Sequence, residues 1–210
     1  MFSAVSHKKL ASAEGYFVEH LAQNDYYAAS EIRPGQWIGV GAERLGFNAG
    51  QHVTREQFYA LCENRHPQTG ERLTLRQNGK DERRVFFDFT CSPPKSVSVL
   101  AVVMDDQRLV EAHKDSARIA FRELEIFAAT RVRRAGNQRD RTTGNLIAAA
   151  FVHTSSRALD PQLHTHFTVF NATFDDQERR WKALQAGAMY DAIRYATAVY
   201  RNELARRVRQ

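Results

Sequence analysis

One stretch, HTSSRALDPQLHTHFTVFN at residues 153–171, limits the possible folds of this chain more than any other part of its sequence. Its second half alternates in the two-residue period of a β-strand, so that His164 and His166 share one face. The preceding segment, residues 146–154, is rich in apolar and β-branched residues and is predicted to form a second strand. The two segments together predict a β-hairpin that carries several histidines.

The three histidines of this predicted hairpin form a candidate metal site. Asp160-Pro161 is a turn signal, and a turn there lays His153 beside His164 and His166. Side chains two positions apart on a strand have Cα atoms roughly 6.5–7 Å apart, so both rings can reach one cation at ~2.0–2.2 Å. A single histidine beside an apolar run is usually a hydrogen-bonded core or surface residue, and an H-x-H pair also occurs by chance. Because three of the eight histidines fall on one predicted strand pair, we favour metal binding over coincidence.

Composition limits the class of protein. A chain of 210 residues suits one domain, or one domain with appendages, and can bury a sizeable core. No apolar run approaches the ~20 residues that cross a bilayer, and charged residues near the N-terminus interrupt any signal-peptide core. Cys62 and Cys91 lie far apart in no paired motif, which favours a reduced, cytoplasmic setting. A clustered net charge of +6 favours a polyanionic partner.

Periodicity predicts the secondary structure of much of the remaining chain. Residues 97–103 are predicted to form a short strand or the start of a buried segment. Apolar spacing and capping signals predict helices over residues 12–21, 55–64, 105–129 and from about 188 onward.

A predicted strand at residues 85–91 carries one carboxylate, Asp88, among aromatic residues. Burying a charge in such surroundings is costly unless the charge is paired or hydrogen-bonded. Asp88 is therefore predicted to have a partner. A histidine ring or the proton of a nucleophile would serve, and a backbone hydrogen bond is the competing explanation.

The densest cationic stretch is RVRRAGNQRDRTTGN at residues 131–145, which we predict to be a strand end followed by a mobile loop. Such a run is often only a solvated charged surface. Beside a candidate metal strand, contacts to phosphates are the favoured interpretation, and they would make binding strongly dependent on salt.

Three early tyrosines, Tyr16, Tyr26 and Tyr27, have two interpretations. Most tyrosines are amphipathic packing residues, and the spacing of these three does not refute that role. The alternative is that a phenol near the metal acts as a nucleophile, which requires the loss of a proton with a reference pKa of ~10.

Together these segments resemble the catalytic domain of the MobF-type conjugative relaxases, within the wider HUH endonuclease group. The motifs occur in a specific order, which is a tyrosine cluster, then D-x-T-x-S-x-P-K-S-V-S, and then H-x(10)-H-x-H. A bare H-x-H is not specific. The matching segments run through nearly the whole chain: Tyr16 and Tyr26-Tyr27, FDFTCSPPKSVS, TGNLIAAAFVHTSSRALDPQLHTHFTVFN, and MYDAIRYATAVYRNELARR.

The resemblance implies an α/β fold in which a central antiparallel sheet of about five strands carries the histidines and helices pack on the opposite face. It implies metal-dependent nicking and rejoining of one DNA strand at a plasmid origin of transfer, through a 5′-phosphotyrosine intermediate. The expected cofactor is one divalent ion, Mg, Mn or Zn. Residues 1–210 would form the catalytic domain of a longer cytoplasmic protein with a fused helicase. Its expected partners are single-stranded DNA and the type IV secretion machinery, with no membrane insertion.

Carried onto this sequence, the resemblance also implies a role for particular residues. Tyr16 would be the nucleophile, and Tyr26 or Tyr27 would take part in a later strand transfer. Asp88 would orient a histidine or help to take the tyrosine proton. The implied metal ligands are His153, His164 and His166, and the expected DNA contacts are Arg157, Lys95, Arg131, Arg133 and Arg134.

Two other functions remain compatible with the residues alone. A cupin-like metal enzyme that acts on a small molecule also uses H-x-H, but here no glutamate follows His166 at short spacing and the third histidine precedes the pair. A non-catalytic nucleic-acid-binding module with a structural metal is the second. It predicts that removing the ion unfolds the chain, whereas an open catalytic site loses activity and keeps its fold.

Overall fold

The computed structural model describes residues 1–7, 35–48, 50–75, 84–134, 136–156, 158 and 160–209. The helix predicted at residues 12–21 lies outside the described residues, as do Tyr16, Tyr26, Tyr27 and Arg157. In chain order the described elements are β1 (Phe2–His7), β2 (Gln36–Ile38), α1 (Val40–Arg44), α2 (Arg55–Cys62), β3 (Phe86–Cys91), α3 (Lys95–Val103), α4 (Gln107–Glu125), β4 (Ala129–Arg134), β5 (Asn137–Thr142), β6 (Ala148–Ser155), β7 (Pro161–Phe170), β8 (Thr173–Asp175), β9 (Arg180–Lys182), β10 (Leu184–Gln185), α5 (Gly187–Asp191) and α6 (Ile193–Val208).

A five-stranded sheet in the order β1-β3-β7-β6-β2 forms the centre of the fold, and every neighbouring pair in it is antiparallel. The histidine hairpin predicted from the sequence is its β6–β7 pair. In this register His153 lies opposite His164, and Phe151 lies opposite His166. The hairpin closes near the predicted turn, where the Ser156 N–H donates to the carbonyl oxygen of Asp160 at 2.9 Å.

The face of the sheet opposite the histidines holds the larger hydrophobic core. Alternate residues of β3 and β7, such as Phe89 and Phe167, point into this core, which the long helices α4 and α6 cover. Phe121 of α4 stacks on Phe167 with ring centroids 4.4 Å apart. Burying one such aromatic side chain contributes about 1.5–3 kcal/mol. The predicted α/β fold, with helices packed on the face opposite the histidines, is confirmed.

A second core covers one end of the histidine face. Phe58 of α2 makes edge-to-face contacts with Phe86, Phe151 and Phe170. A capping box begins α2, the helix predicted at residues 55–64, where the Thr54 side chain accepts from the Gln57 N–H. Because α2 occupies the Phe86–Phe170 end of β3 and β7, the histidines lie at the other end of the same strands.

Two predictions of local structure are wrong. Residues 97–103 are part of helix α3, because Ala101 packs with Val110 and Leu163, and this tertiary packing overrides the β-propensity of the valines. The arginine-rich stretch forms the β4–β5 hairpin, which turns at Gly136 with φ of 81°, rather than a mobile loop. Glycine adopts this positive φ at no steric cost. Gly136 was therefore a signal for a tight turn in the sequence, and our prediction of a loop did not take it into account.

The other helices follow the sequence closely. The helix predicted at residues 105–129 is α4, which is capped by the side chain of Asp106. The last predicted helix is divided into α5 and α6. Every helix in the described part of the chain is too short or too polar to cross a membrane.

Candidate metal centre

Three imidazole rings converge at the end of the β6–β7 hairpin. One ligand nitrogen from each of His153, His164 and His166 lies within 4.8 Å of the other two. The ring centroids are 4.9–5.3 Å apart. The strand register explains this arrangement, because His153 and His164 are directly opposite and His166 follows two positions later on the same face. The structure therefore brings together the three histidines that the sequence singled out.

Hydrogen bonds to the outer nitrogens orient two of these rings. His164 Nδ1 lies 2.8 Å from the carbonyl oxygen of Gln162, and His166 Nδ1 lies 2.8 Å from Asp88 Oδ2. Because carbonyl and carboxylate oxygens accept hydrogen bonds, each Nδ1 carries the proton and each Nε2 keeps its lone pair. Outer-nitrogen partners of this kind are characteristic of metal-binding histidines. Thr90 Oγ1 also lies 3.2 Å from His166 Nδ1.

The donor set fits a divalent transition metal. Imidazole nitrogens suit Zn, Cu, Ni and similar ions better than they suit Mg, for which oxygen ligands are preferred. Three neutral ligands leave coordination positions for a substrate oxygen or water. His153 and His166 are partly exposed, so an ion between the rings is accessible from outside.

Asp88 is the buried carboxylate predicted from the sequence, and it is 4% exposed. Of the partners that the sequence left open, the structure shows a histidine ring, that of His166. Cross-strand pairing explains the contact, because Asp88 on β3 faces Thr168 on β7, one same-face position away from His166.

A second polar chain, centred on His113 of α4, lies beneath the site and was missed by the sequence analysis. Thr165, between the two ligands of β7, points into the main core, where its Oγ1 lies 2.9 Å from His113 Nε2. His113 Nδ1 in turn lies 2.7 Å from the hydroxyl of Tyr200 on α6. Burial lowers the pKa of His113 to about 3, so the ring is neutral at physiological pH. The available signal was a polar residue, Thr165, at a core-facing position of β7.

The β4–β5 hairpin, which precedes the histidine hairpin in the sequence, carries several cationic side chains. A groove of about 400 Å³ runs between this hairpin and β9, and its lining includes Arg131, Arg133 and Trp181. Lys95, at the start of α3, donates to the carbonyl oxygen of Pro161 at 2.8 Å and so lies beside the beginning of β7.

A buried carboxylate anchors the base of this hairpin. Asp175 of β8 is 1% exposed, and Arg141 Nη1 of β5 lies 2.9 Å from both of its oxygens. Burial alone would raise the pKa of Asp175, but hydrogen bonds from Arg141 and from the Glu178 and Gln177 N–H groups hold that pKa below its usual value. The anchor therefore fixes β5 against the β8–β9 hairpin.

Comparison with known proteins gives one consistent result. A family model described as TrwC relaxase matches residues 10–210. The multifunctional conjugation protein TraI of Escherichia coli is 39% identical over 185 residues, which are 88% of this chain and 10% of TraI. TraI of Escherichia coli strain K12 is 36% identical over 205 residues, which are 98% of this chain and 11% of that protein. The chain spans about a tenth of the length of these curated relatives.

Solved structures of similar fold are complexes of the conjugative relaxase TrwC with oriT DNA. The metal-bound complex has a TM-score of 0.85 and 32% identity, covering 100% of this chain and 70% of that one. The copper-bound complex has a TM-score of 0.85 and 31% identity, with the same coverage. The metal-free complex has a TM-score of 0.83 and 30% identity, covering 100% of this chain and 69% of that one.

Proposed function

Since the chain belongs to the TrwC relaxase family, we propose that it nicks and rejoins one strand of DNA at an origin of transfer. A tyrosine oxygen attacks the scissile phosphorus, the bond to the 3′ oxygen breaks, and a 5′-phosphotyrosine and a free 3′-hydroxyl result. The new ester keeps the energy of the broken phosphodiester, so the 3′-hydroxyl can attack it and rejoin the strand. The observation that carries the proposal is the histidine cluster with the buried Asp88 behind it.

In this proposal His153, His164 and His166 hold one divalent ion. Such an ion binds a non-bridging phosphate oxygen and withdraws the negative charge that develops during attack. Asp88 keeps the His166 ring in the tautomer that presents Nε2 and increases the basicity of that nitrogen. The TrwC complexes in metal-bound, copper-bound and metal-free form support one ion without fixing its identity.

Tyr16 is our proposed nucleophile, and Tyr26 or Tyr27 is proposed to act in a later strand transfer. The support for these roles is the order of the sequence motifs, since all three tyrosines lie outside the described residues. A phenol needs placement in line with the bond that breaks and an acceptor for its proton. We propose that Asp88 helps to take this proton.

We propose that the β4–β5 hairpin and residues near the metal centre bind the DNA. A two-stranded β-ribbon is narrow enough to enter a major groove, and arginine side chains along it can contact phosphates or base edges. The exposed positions of Arg131 and Arg133 support this role. The proposed contact residues are Arg131, Arg133, Arg134, Lys95 and Arg157.

The whole protein is a further proposal. TraI is described as multifunctional, and this chain matches about a tenth of it. We therefore propose that residues 1–210 are the nicking domain of a longer protein that also carries a helicase. That protein would act in the cytoplasm of the donor cell and deliver single-stranded DNA to the type IV secretion machinery.

A 3′-labelled oligonucleotide that contains the cognate nick site tests the activity directly. Wild-type protein with Mn²⁺ should convert the label into a protein-linked band on a denaturing gel, and Tyr16→Phe should abolish that band. Tyr195→Phe is the matched control, because Tyr195 is an exposed tyrosine that donates to Glu123 on the helical side of the sheet.

The outcomes separate the alternatives. An undiminished band with Tyr16→Phe would move the nucleophile to Tyr26 or Tyr27. No band from wild-type protein with the cognate DNA would refute the proposed activity. Turnover of a small molecule without DNA would favour the cupin-like alternative, and unfolding on chelation would favour the structural-metal alternative.

A further inference from the structure

Thr168 occupies an unusual position on the histidine face of β7. It follows His166 by two residues, is 0% exposed, and lies directly opposite Asp88 in the β3–β7 pairing. Its Oγ1 has no hydrogen-bond partner among the residues that the structure describes. A buried hydroxyl beside the candidate metal centre is therefore left unused by the fold.

Packing alone does not explain this hydroxyl. A buried hydroxyl without a partner costs free energy, and valine has nearly the same shape without that cost. Three other buried threonines have side-chain hydrogen bonds: Thr165 bonds to His113, Thr173 to Asn145 and Thr130 to Ala183. Buried groups of this kind in native structures call for a specific explanation, which is often functional.

The neighbours of Thr168 leave one obvious acceptor. On the β6 side its cross-strand partner is Ala149, which carries only a methyl group. On the β3 side the partner is Asp88, whose Oδ2 accepts from His166. A carboxylate can accept several hydrogen bonds, so Asp88 has capacity for a further donor.

We propose that Thr168 is a positioning residue for Asp88, and that its hydroxyl donates to the Asp88 carboxylate when DNA is bound. Directly opposite residues of an antiparallel pair have Cβ atoms about 4.5–5.5 Å apart, a distance that a hydroxyl–carboxylate hydrogen bond can bridge after rotation about χ1. Hydrogen bonds at active sites often form only in the substrate complex. The bond would hold the carboxylate in one orientation towards His166 and the incoming tyrosine.

This inference rests on the proposed function, and three variants test it. Thr168→Val removes the hydroxyl and keeps the shape, Thr168→Ser keeps the hydroxyl, and Thr173→Val removes a buried hydroxyl that does have a partner, in a different sheet. Each is compared with wild type for single-turnover cleavage, DNA affinity, Mn²⁺ affinity and urea midpoint.

Thr168→Val should cleave more slowly by on the order of 10-fold, which is typical of losing a hydrogen bond behind a metal ligand. Its DNA affinity and its Mn²⁺ affinity without DNA should be unchanged. Its urea midpoint should stay the same or rise, because the lost hydroxyl had no partner. Thr168→Ser should restore the cleavage rate, and Thr173→Val should lose stability while it cleaves at the wild-type rate.

Cleavage by Thr168→Val at the wild-type rate would overturn the inference while the proposed function stands. A loss of rate that is matched by a loss of stability, or that Thr168→Ser fails to restore, would also overturn it by showing a packing role. Absence of cleavage by wild-type protein would overturn both.

Discussion

Asp88 Oδ2 accepts a hydrogen bond from His166 Nδ1 at 2.8 Å, and the side chain of Asp88 is almost completely buried. The carboxylate thus touches the candidate metal centre through an imidazole rather than directly. Asp88 can therefore affect how tightly the ion binds, although it is not one of the three proposed ligands.

Asp88→Asn should lower Mn²⁺ affinity by about 10- to 100-fold, because an amide accepts a weaker hydrogen bond and no longer fixes the His166 ring. Isothermal titration calorimetry on the purified domain measures this change. Asp115→Asn is the matched control, since Asp115 is an exposed acidic residue on α4, 3.8 Å from Arg207. Equal Mn²⁺ affinity in wild type and Asp88→Asn would contradict the prediction.

His113→Leu should lower the free energy of unfolding by roughly 2–4 kcal/mol, because it leaves the buried hydroxyls of Thr165 and Tyr200 without the ring between them. Urea denaturation at neutral pH measures the loss. His52→Gln should have little effect, because His52 is exposed. A loss of less than about 1 kcal/mol would mean that the buried chain contributes little to stability.

The low pKa of His113 also predicts a pH dependence. The folded ring resists protonation down to pH about 3, whereas in the unfolded chain it takes up a proton near its ordinary value of 6.5. Its contribution to stability is complete above pH 6.5 and is lost progressively as the pH falls towards 3. Between pH 7 and pH 5 the wild type should therefore lose roughly 2 kcal/mol more than His113→Leu. Parallel stability curves for the two proteins would be inconsistent with a buried neutral ring.

Asp175→Asn should destabilise the protein by about 1.5–3 kcal/mol, because Arg141 loses its charged partner at 2.9 Å and keeps the more distant Glu178 at 3.9 Å. The neighbouring Asp176→Asn provides the control. Asp176 pairs with Arg44 at an exposed position, and its loss should cost less than about 1 kcal/mol. Similar losses in the two variants, measured by urea denaturation, would argue against the anchoring role of Asp175.

The double variant Arg131→Ala, Arg133→Ala should weaken DNA binding and reduce its salt dependence. Each lost phosphate contact should lower the slope of log K against log[salt] by about 1. Fluorescence anisotropy over a salt series measures both quantities. Arg108→Ala serves as the control, because Arg108 is also an exposed arginine but lies at the start of α4, paired with Asp106. An unchanged slope in the double variant would remove these arginines from the proposed interface.

The sequence predicted the parts of the fold in which one strong local pattern dominates. The alternation around His164 and His166, with a turn signal at Asp160-Pro161, was enough to predict the histidine hairpin and to lay His153 beside the other two histidines. The valine-rich residues 97–103 carry no such dominant signal, and their helix depends on packing against Leu163, which is distant in the sequence. Long-range contacts of that kind are not visible in local periodicity.

The candidate site also has some features that the sequence predicted and others that only the structure shows. The three histidines and the need of Asp88 for a partner follow from spacing and from the cost of burying a charge. The contacts of His113 and Thr168 depend on which residues face each other across strands and helices, so they required the folded structure. The roles of Tyr16, Tyr26 and Tyr27 stay predictions, since these residues lie outside the described part of the chain.

Alternate residues of β7 serve two different neighbourhoods: His164 and His166 face the candidate metal, while Thr165 between them is tied to the helices through His113. A small rotation of this strand would therefore disturb both at once. A change in the packing of α4 or α6, even far from any DNA, should therefore change the arrangement of the histidines that hold the ion. The helical layer thus sets the alignment of the reactive surface as well as the stability of the domain.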